Sequence, residues 1–198
     1  MNQIEENFDN QSLIEVDQDL AEFKSIVNDI AKNESVLALR EHVQHIASSR
    51  YSHLMEVSYY TYKICKKLNL DYISAARAAM LHDFYFYNWR NKGVEGQKKF
   101  HLMRHPRIAL TNAAELFELN DLEKDAILKH MWPVTIVPPK YAEGYIITFV
   151  DKFCAAREFF TQFKTKKKIK EAMNSSNDAE ANTPSEENSE NNDNNENN

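Results

Sequence analysis

Glycine is nearly missing from this chain of 198 residues, where only Gly93, Gly96 and Gly144 occur. Tight hairpin turns lean on glycine, so the scarcity argues against a hairpin-rich all-β protein. Cysteine is scarcer still. Cys65 and Cys154 both fall in helical patterns and form no metal-type pair, which points to buried thiols in a reduced compartment rather than to a disulfide framework. No stretch has the uninterrupted apolar length of a membrane helix, and the first residues are acidic and polar where a secretory signal would be basic and then apolar. A cytoplasmic protein with no membrane partner is expected, and no internal repeat is visible.

Basic residues are absent from both ends of the chain. Residues 1–22 carry seven acidic and no basic groups and residues 178–198 do the same, so beneath a formal net charge of -6 the segment between them carries a net charge of +8. A basic centre suits an anionic substrate such as a phosphate ester, and equally an ordinary lysine-bearing surface. The length and an apolar share of 42% bound the chain to one domain with a real core plus tails.

Residues 1–19 read as an acidic leader, after which Leu20, Phe23, Ile26, Val27 and Ile30 recur at three-and-four spacing and predict a helix packed on the core. Leader and packing helix together occupy 1–34. A second helical stretch is expected over about 35–47, closed by Ser48-Ser49, a natural cap for the next helix. From about 51 to 68, Leu54, Ser58, Thr61, Cys65 and Leu68 share one buried stripe, with His53 at its start. Asn69 closes it. Asp71 can cap the helix after that, in which Ile73, Ala76, Ala79 and Met80 lead to His82-Asp83. The aromatic run Phe84, Tyr85, Phe86, Tyr87 and Trp89 reads as core and pocket wall rather than as a stacking platform for nucleic acid.

Residues 88–104 read as a loop able to present Arg90, Lys98 or Arg104 to a phosphate. His105-Pro106 then opens a helix, the proline suiting its first turn, with Ile108, Ala109, Ala113, Leu116 and Phe117 as the apolar face. Asp121 can cap a shorter helix that buries Leu122, Ala126, Ile127 and Met131, delivers His130 at its end and stops at Trp132-Pro133. Pro138-Pro139 stiffen a loop expected near the mouth of a site. A helix from 141 to about 163 displays Asp151 midway. The domain proper is expected to span 35–165, and 166–198, rich in asparagine, glutamate and serine, reads as a disordered tail.

His53, His82, Asp83, His105, His130 and Asp151 bring together two ligand chemistries. Imidazole nitrogens and carboxylate oxygens bind iron, manganese, zinc or cobalt, and the two oxygens of Asp83 allow it to bridge two ions. Side chains of neighbouring helical residues point roughly 100° apart, so a His-Asp pair at a helix end can offer both groups to a site beside that end. Each histidine alone is as well explained as a surface or hydrogen-bonded core residue, and His42, His45 and His101 are read that way. The six gain weight as a set.

The order His53, then His82-Asp83, then Asp151, with the local wording Ala78-Ala79-Met80-Leu81-His82-Asp83, resembles the HD superfamily of metal-dependent phosphohydrolases over residues 40–160. His105 and His130 resemble the extra ligands of its two-metal branches. The resemblance implies an all-α helical bundle with the metal site between helix ends, two divalent transition-metal ions, and hydrolysis of a phosphomonoester or phosphodiester by a metal-activated water. A small phosphorylated substrate of nucleotide type would follow. Lys152, beside Asp151, and Arg104 and Arg107, flanking His105, are the candidates to position its phosphate, and Asp83 is the catalytic bridge. Phe86 stands where cyclic-dinucleotide phosphodiesterases carry a lysine, the glutamate of deoxynucleoside monophosphatases is missing, and no Gly-Tyr-Pro motif occurs. The chemistry is implied without a particular substrate. The same six-ligand order also resembles the HD-type mixed-valent diiron oxygenases, and a non-catalytic HD binding or regulatory module is the third alternative.

Overall fold

The structure, a computed structural model, describes residues 16–42, 49–86 and 97–181. Contacts divide the chain into units 1–159 and 160–198, and the described part of the second unit is helix alone. Among the described residues every regular element is helical and no strand occurs, as the scarcity of glycine suggested. No helix among them is long and apolar enough to cross a membrane.

Helix α1 (16–26) breaks at Val27 and resumes as α2 (Asn28–Ala31). Phe23, Val27 and Ile30 are buried, as their spacing predicts. Charge adds to this docking: Asp19 accepts from Lys66 at 2.8 Å and from Lys63, and the Tyr62 hydroxyl donates to Glu22 at 2.7 Å, joining α1 to the helix α4 (Arg50–Lys67). The helix expected over 35–47 is shorter. It consists of α3 (Glu34–Leu37), capped by Asn33, and a 3-10 turn (Ala38–Arg40). Val36 and Leu39 are both fully buried, and a 3-10 turn eclipses residues three apart, so tightening sends both inward. Residues 43–48, including His45, lie outside the described residues, as do 1–15, 87–96 and 182–198.

Helix α4 (Arg50–Lys67) starts at Ser49, whose hydroxyl accepts from the Ser52 amide at 3.2 Å. It buries His53, Leu54, Ser58, Thr61 and Cys65, while Leu68 falls past its end and is exposed. Asn69 turns the chain with φ 53°, a left-handed conformation that asparagine tolerates. Asp71 caps α5 (Tyr72–Leu81), accepting from the Ser74 amide at 2.9 Å. Ala75, Ala76, Ala78 and Ala79 have no exposure at all, and such small side chains let α5 pack closely on both α4 and the helix α7 (Asp121–Lys129). The Ser58 hydroxyl donates to the Ala76 carbonyl at 2.7 Å and pins the crossing. Ile73, expected to face inward, is exposed.

Helix α6 (Gln97–Leu116) corrects two expectations. It begins well before His105, so 97–104 is helical rather than loop, and Pro106 stands inside the helix rather than in its first turn. Proline there deletes one backbone bond, to residue 102. The burial of His105, Ala109 and Ala113 along one face outweighs it. Helix α7 (Asp121–Lys129) is capped by Asn120, one residue before the expected Asp121, through a reciprocal capping box with Glu123. Glu123 also accepts from Arg77 Nε at 3.0 Å, binding α7 to α5. Helix α8 (Ala142–Ala181) runs on past its expected end near 163. No glycine or proline occurs between Gly144 and Pro184, so nothing local stops it, and residues 166–181, expected as disordered tail, are helical. Pro139, expected near a site mouth, is buried, and its ring lies against Gly144 at the start of α8.

Candidate metal centre

Five helices deliver the six ligand-type side chains to one place. His53 lies in the first turn of α4, His82 and Asp83 follow the last residue of α5, His105 is in mid-α6, His130 follows the last residue of α7, and Asp151 is on α8. All but Asp151 are buried, and Asp151 is half-buried. His53 Nε2 and His82 Nε2 lie 3.1 Å and 3.5 Å from Asp151 Oδ1. On the other side, His105 Nε2 and His130 Nε2 lie 3.3 Å and 3.6 Å from Asp83 Oδ1, and 2.9 Å from each other. Asp83 Oδ2 faces His82 Nε2 at 3.9 Å. Two overlapping triads result, His53–His82–Asp151 and His82–Asp83–His130, each with its ligand atoms within 4.8 Å of one another.

These spacings suit cations. Two donors about 2.1 Å from one ion and 90–109° apart lie roughly 3.0–3.4 Å from each other, close to most of the distances above. The rings are also turned the right way. Carbonyl oxygens only accept, so His82 Nδ1 donates to Ala79 O at 2.7 Å and His130 Nδ1 donates to Ile127 O at 2.8 Å, which aims both Nε2 lone pairs inward. His82 Nε2 is buried without a hydrogen-bond partner, a cost that a bound cation would remove. The facing Nε2 atoms of His105 and His130 need a proton or a cation between them. Both His82 and His130 sit at helix C-termini, whose carbonyl ends carry partial negative charge and favour a cation.

The titration of the cluster follows the same logic. Burial pushes the His53 imidazole down, but the carboxylates of Asp151 and Glu158 overcome it and raise the pKa to about 10. Burial likewise opposes the charged form of His82, and Asp83 with Asp151 raises it nonetheless. Asp83 and Asp151 are held below the usual carboxylate range: burial works against this, and the surrounding imidazoles prevail.

The three cations named as phosphate-positioning candidates are placed differently. Lys152 is half-buried, and its ammonium donates to the His130 carbonyl at 3.2 Å, at the edge of the cluster. Arg104 and Arg107 are exposed and line a cavity of about 480 Å³ with Met103, Ile108, Thr111 and Asn112, which includes none of the six ligand-type residues. Helix geometry explains why: at roughly 100° per residue, Arg104, one before an inward His105, and Arg107, two after it, both project away from it. His42 is packed against Phe86, apart from the triads, and the side chain of His101 lies outside the described residues.

Two residues at the cluster escaped the sequence reading. Glu158 Oε1 lies 3.3 Å from His53 Nδ1, and its position seven residues after Asp151, two turns along the same face, was the available signal. Arg50, three residues before His53, is fully buried; it donates to the Tyr85 carbonyl and stacks 3.8 Å from the centroid of the Tyr85 ring, which lies against His105.

A family model described as the HD domain matches residues 50–156, more than half of the chain. No curated protein and no solved structure matches.

Proposed function

This chain belongs to the HD domain family, and from that membership and its buried triads we propose that it is a metal-dependent phosphohydrolase acting on a small phosphorylated substrate of nucleotide type. One observation carries the proposal: six ligand-type side chains from five helices converge with the Nε2 atoms of His82 and His130 turned inward and their Nδ1 atoms engaged elsewhere. His53, His82 and Asp151 form one ion site. Asp83, His105 and His130 would hold the other, and Asp83, whose Oδ1 faces His105 and His130 and whose Oδ2 faces His82, would be shared between them.

Two divalent ions, of iron, manganese, zinc or cobalt, would supply there an activated water near neutral pH and charge to neutralise a phosphoryl oxygen. The protein's part is positional. Asp83 is buried and Asp151 half-buried, so their charge is screened less than it would be in water. Lys152, at the edge of the cluster, is the proposed contact for a substrate phosphate, with Arg104 and Arg107 farther along α6.

The test is anaerobic phosphate release from a panel of nucleotides by manganese-loaded protein, alongside elemental analysis. Two ions per chain, release of phosphate without dioxygen, and its loss in Asp83→Ala are expected. Dioxygen-dependent loss of substrate with iron and no phosphate release would move the chain to oxygenase chemistry, and protein that retains no metal would leave a non-catalytic binding module.

A further inference from the structure

We infer that Glu158 is the positioning residue for His53, fixing the Nδ1-protonated tautomer so that Nε2 is the atom offered to a metal ion. The inference rests on the metal-centre reading above. It starts from an asymmetry among the histidines. His82 and His130 follow the last residues of α5 and α7, where the last-turn carbonyls lack helical donors, and each ring uses one of them, three residues back, to anchor Nδ1. His53 has no such recourse. It lies in the first turn of α4, where the carbonyls around it accept the helix's own amides and the Ser49 carbonyl accepts the His53 amide at 3.1 Å. An acceptor for its Nδ1 must come from a side chain.

Helix α8 supplies it. Asp151 and Glu158 are two turns apart on one face, so α8 presents Asp151 Oδ1 to Nε2 at 3.1 Å and Glu158 Oε1 to Nδ1 at 3.3 Å, and clamps both edges of a single ring. The Glu158 side chain is only 12% exposed, so solvent competes little for its carboxylate. Next to it, Arg157 pairs with Glu56 and donates to the Tyr60 hydroxyl at 3.2 Å, which holds this turn of α8 against α4. A carboxylate behind a ligating imidazole fixes its orientation and strengthens it as a donor, and losing such a partner weakens metal binding by roughly 10- to 100-fold.

Cobalt(II) titration of the full chain tests this, followed by visible absorption and by competition with a chelator. Glu158→Ala is expected to weaken one of two cobalt sites by roughly 10- to 100-fold, whereas Glu158→Gln, whose amide oxygen still accepts from Nδ1, recovers most of the loss. Melts in chelator control for folding, because a purely structural role would lower stability and would not be rescued site by site. Nitrogen-15 NMR of zinc-loaded wild type gives an independent reading: His53 should carry its proton on Nδ1 and its metal on Nε2. Unchanged cobalt affinity in Glu158→Ala, equal defects in both variants, or metal on Nδ1 would overturn the inference while leaving the metal centre in place. Wild type that binds no cobalt would overturn the metal centre itself, and this inference with it.

Discussion

Replacing Gly144 by alanine should damage both stability and the centre. Gly144 occupies the first turn of α8, and a Cβ placed there would meet Pro139 Cβ at 2.7 Å, Pro139 Cγ at 3.4 Å and the Ala126 backbone at 3.8 Å. Carbon atoms prefer about 3.5–4.0 Å, so the new methyl is short of room by roughly 1 Å. Neither neighbour yields readily. Pro139 is a buried ring, and the next residue is tied down by the Lys140 amide, which donates to Asp125 at 2.7 Å. Overpacking costs about 1–3 kcal/mol, and alanine's advantage over glycine inside a helix returns about 1 kcal/mol, leaving a net loss of about 1 kcal/mol. For a chain of this size that lowers Tm by about 2–4 °C. The functional effect follows from register. Gly144, Asp151 and Glu158 recur every seven residues on one face, so pushing the first turn of α8 outward draws Asp151 from its 3.1 Å contact with His53. Thermal melts in chelator followed by cobalt titration measure the two effects. A Gly144→Ala protein that melts at or above wild type would refute the steric reasoning, and one that melts lower with unchanged cobalt affinity would refute the coupling to Asp151.

Other outcomes rest on single contacts. Asp19 is held down to about 2 by Lys63 and Lys66, below its unfolded value, so it contributes stability above about pH 4 that is lost as pH falls through 2; Asp19→Asn should remove about 1 kcal/mol of this acid-sensitive part after solvent screening, read from urea melts across that range. Glu123→Ala removes both the capping box of α7 and the Arg77 pair, and should cost about 2–3 kcal/mol in the same assay. Truncation after Ala181 removes no large apolar side chain, so Tm should stay unchanged within error.

Legibility in the sequence depended on whether the signal was local. Ser49 and Asp71 cap their helices as expected, because a side-chain acceptor before an apolar repeat acts within three residues. That the six histidines and aspartates would converge was legible because residue types able to bind metal were read as a set, and five helices do bring them together. Pro106 misled, since local preference puts proline in a first turn, while the burial of His105, Ala109 and Ala113 is a tertiary gain that no local rule contains. Arg104 and Arg107 were chosen because they flank His105, and a helix turns residues one or two positions apart away from each other. Glu158 was missed for a related reason: its partner His53 is 105 residues distant, and only the seven-residue interval from Asp151 linked it to the site.

The charge of the cluster explains why so many polar groups tolerate burial together. Two carboxylates would each pay heavily for losing water, and burial alone would drive them to take up protons. Instead both are held below their usual range, while His53 and His82 are raised above theirs. The partial negative charge at the ends of α5 and α7 adds to the demand for positive charge at the same point. Protons on imidazoles would meet that demand only in part: His53 Nε2 faces Asp151 at 3.1 Å, while His82 Nε2 lies 3.5 Å from the same oxygen, beyond a good hydrogen bond. A divalent cation would meet it at the inward nitrogens and the carboxylates, while Nδ1 of His82 and His130 keep their protons on backbone carbonyls. The affinity of this centre for a metal ion would therefore rise with pH, because the ion would compete with protons that the carboxylates favour; cobalt titration at a series of pH values checks this, and an affinity unchanged with pH would refute it.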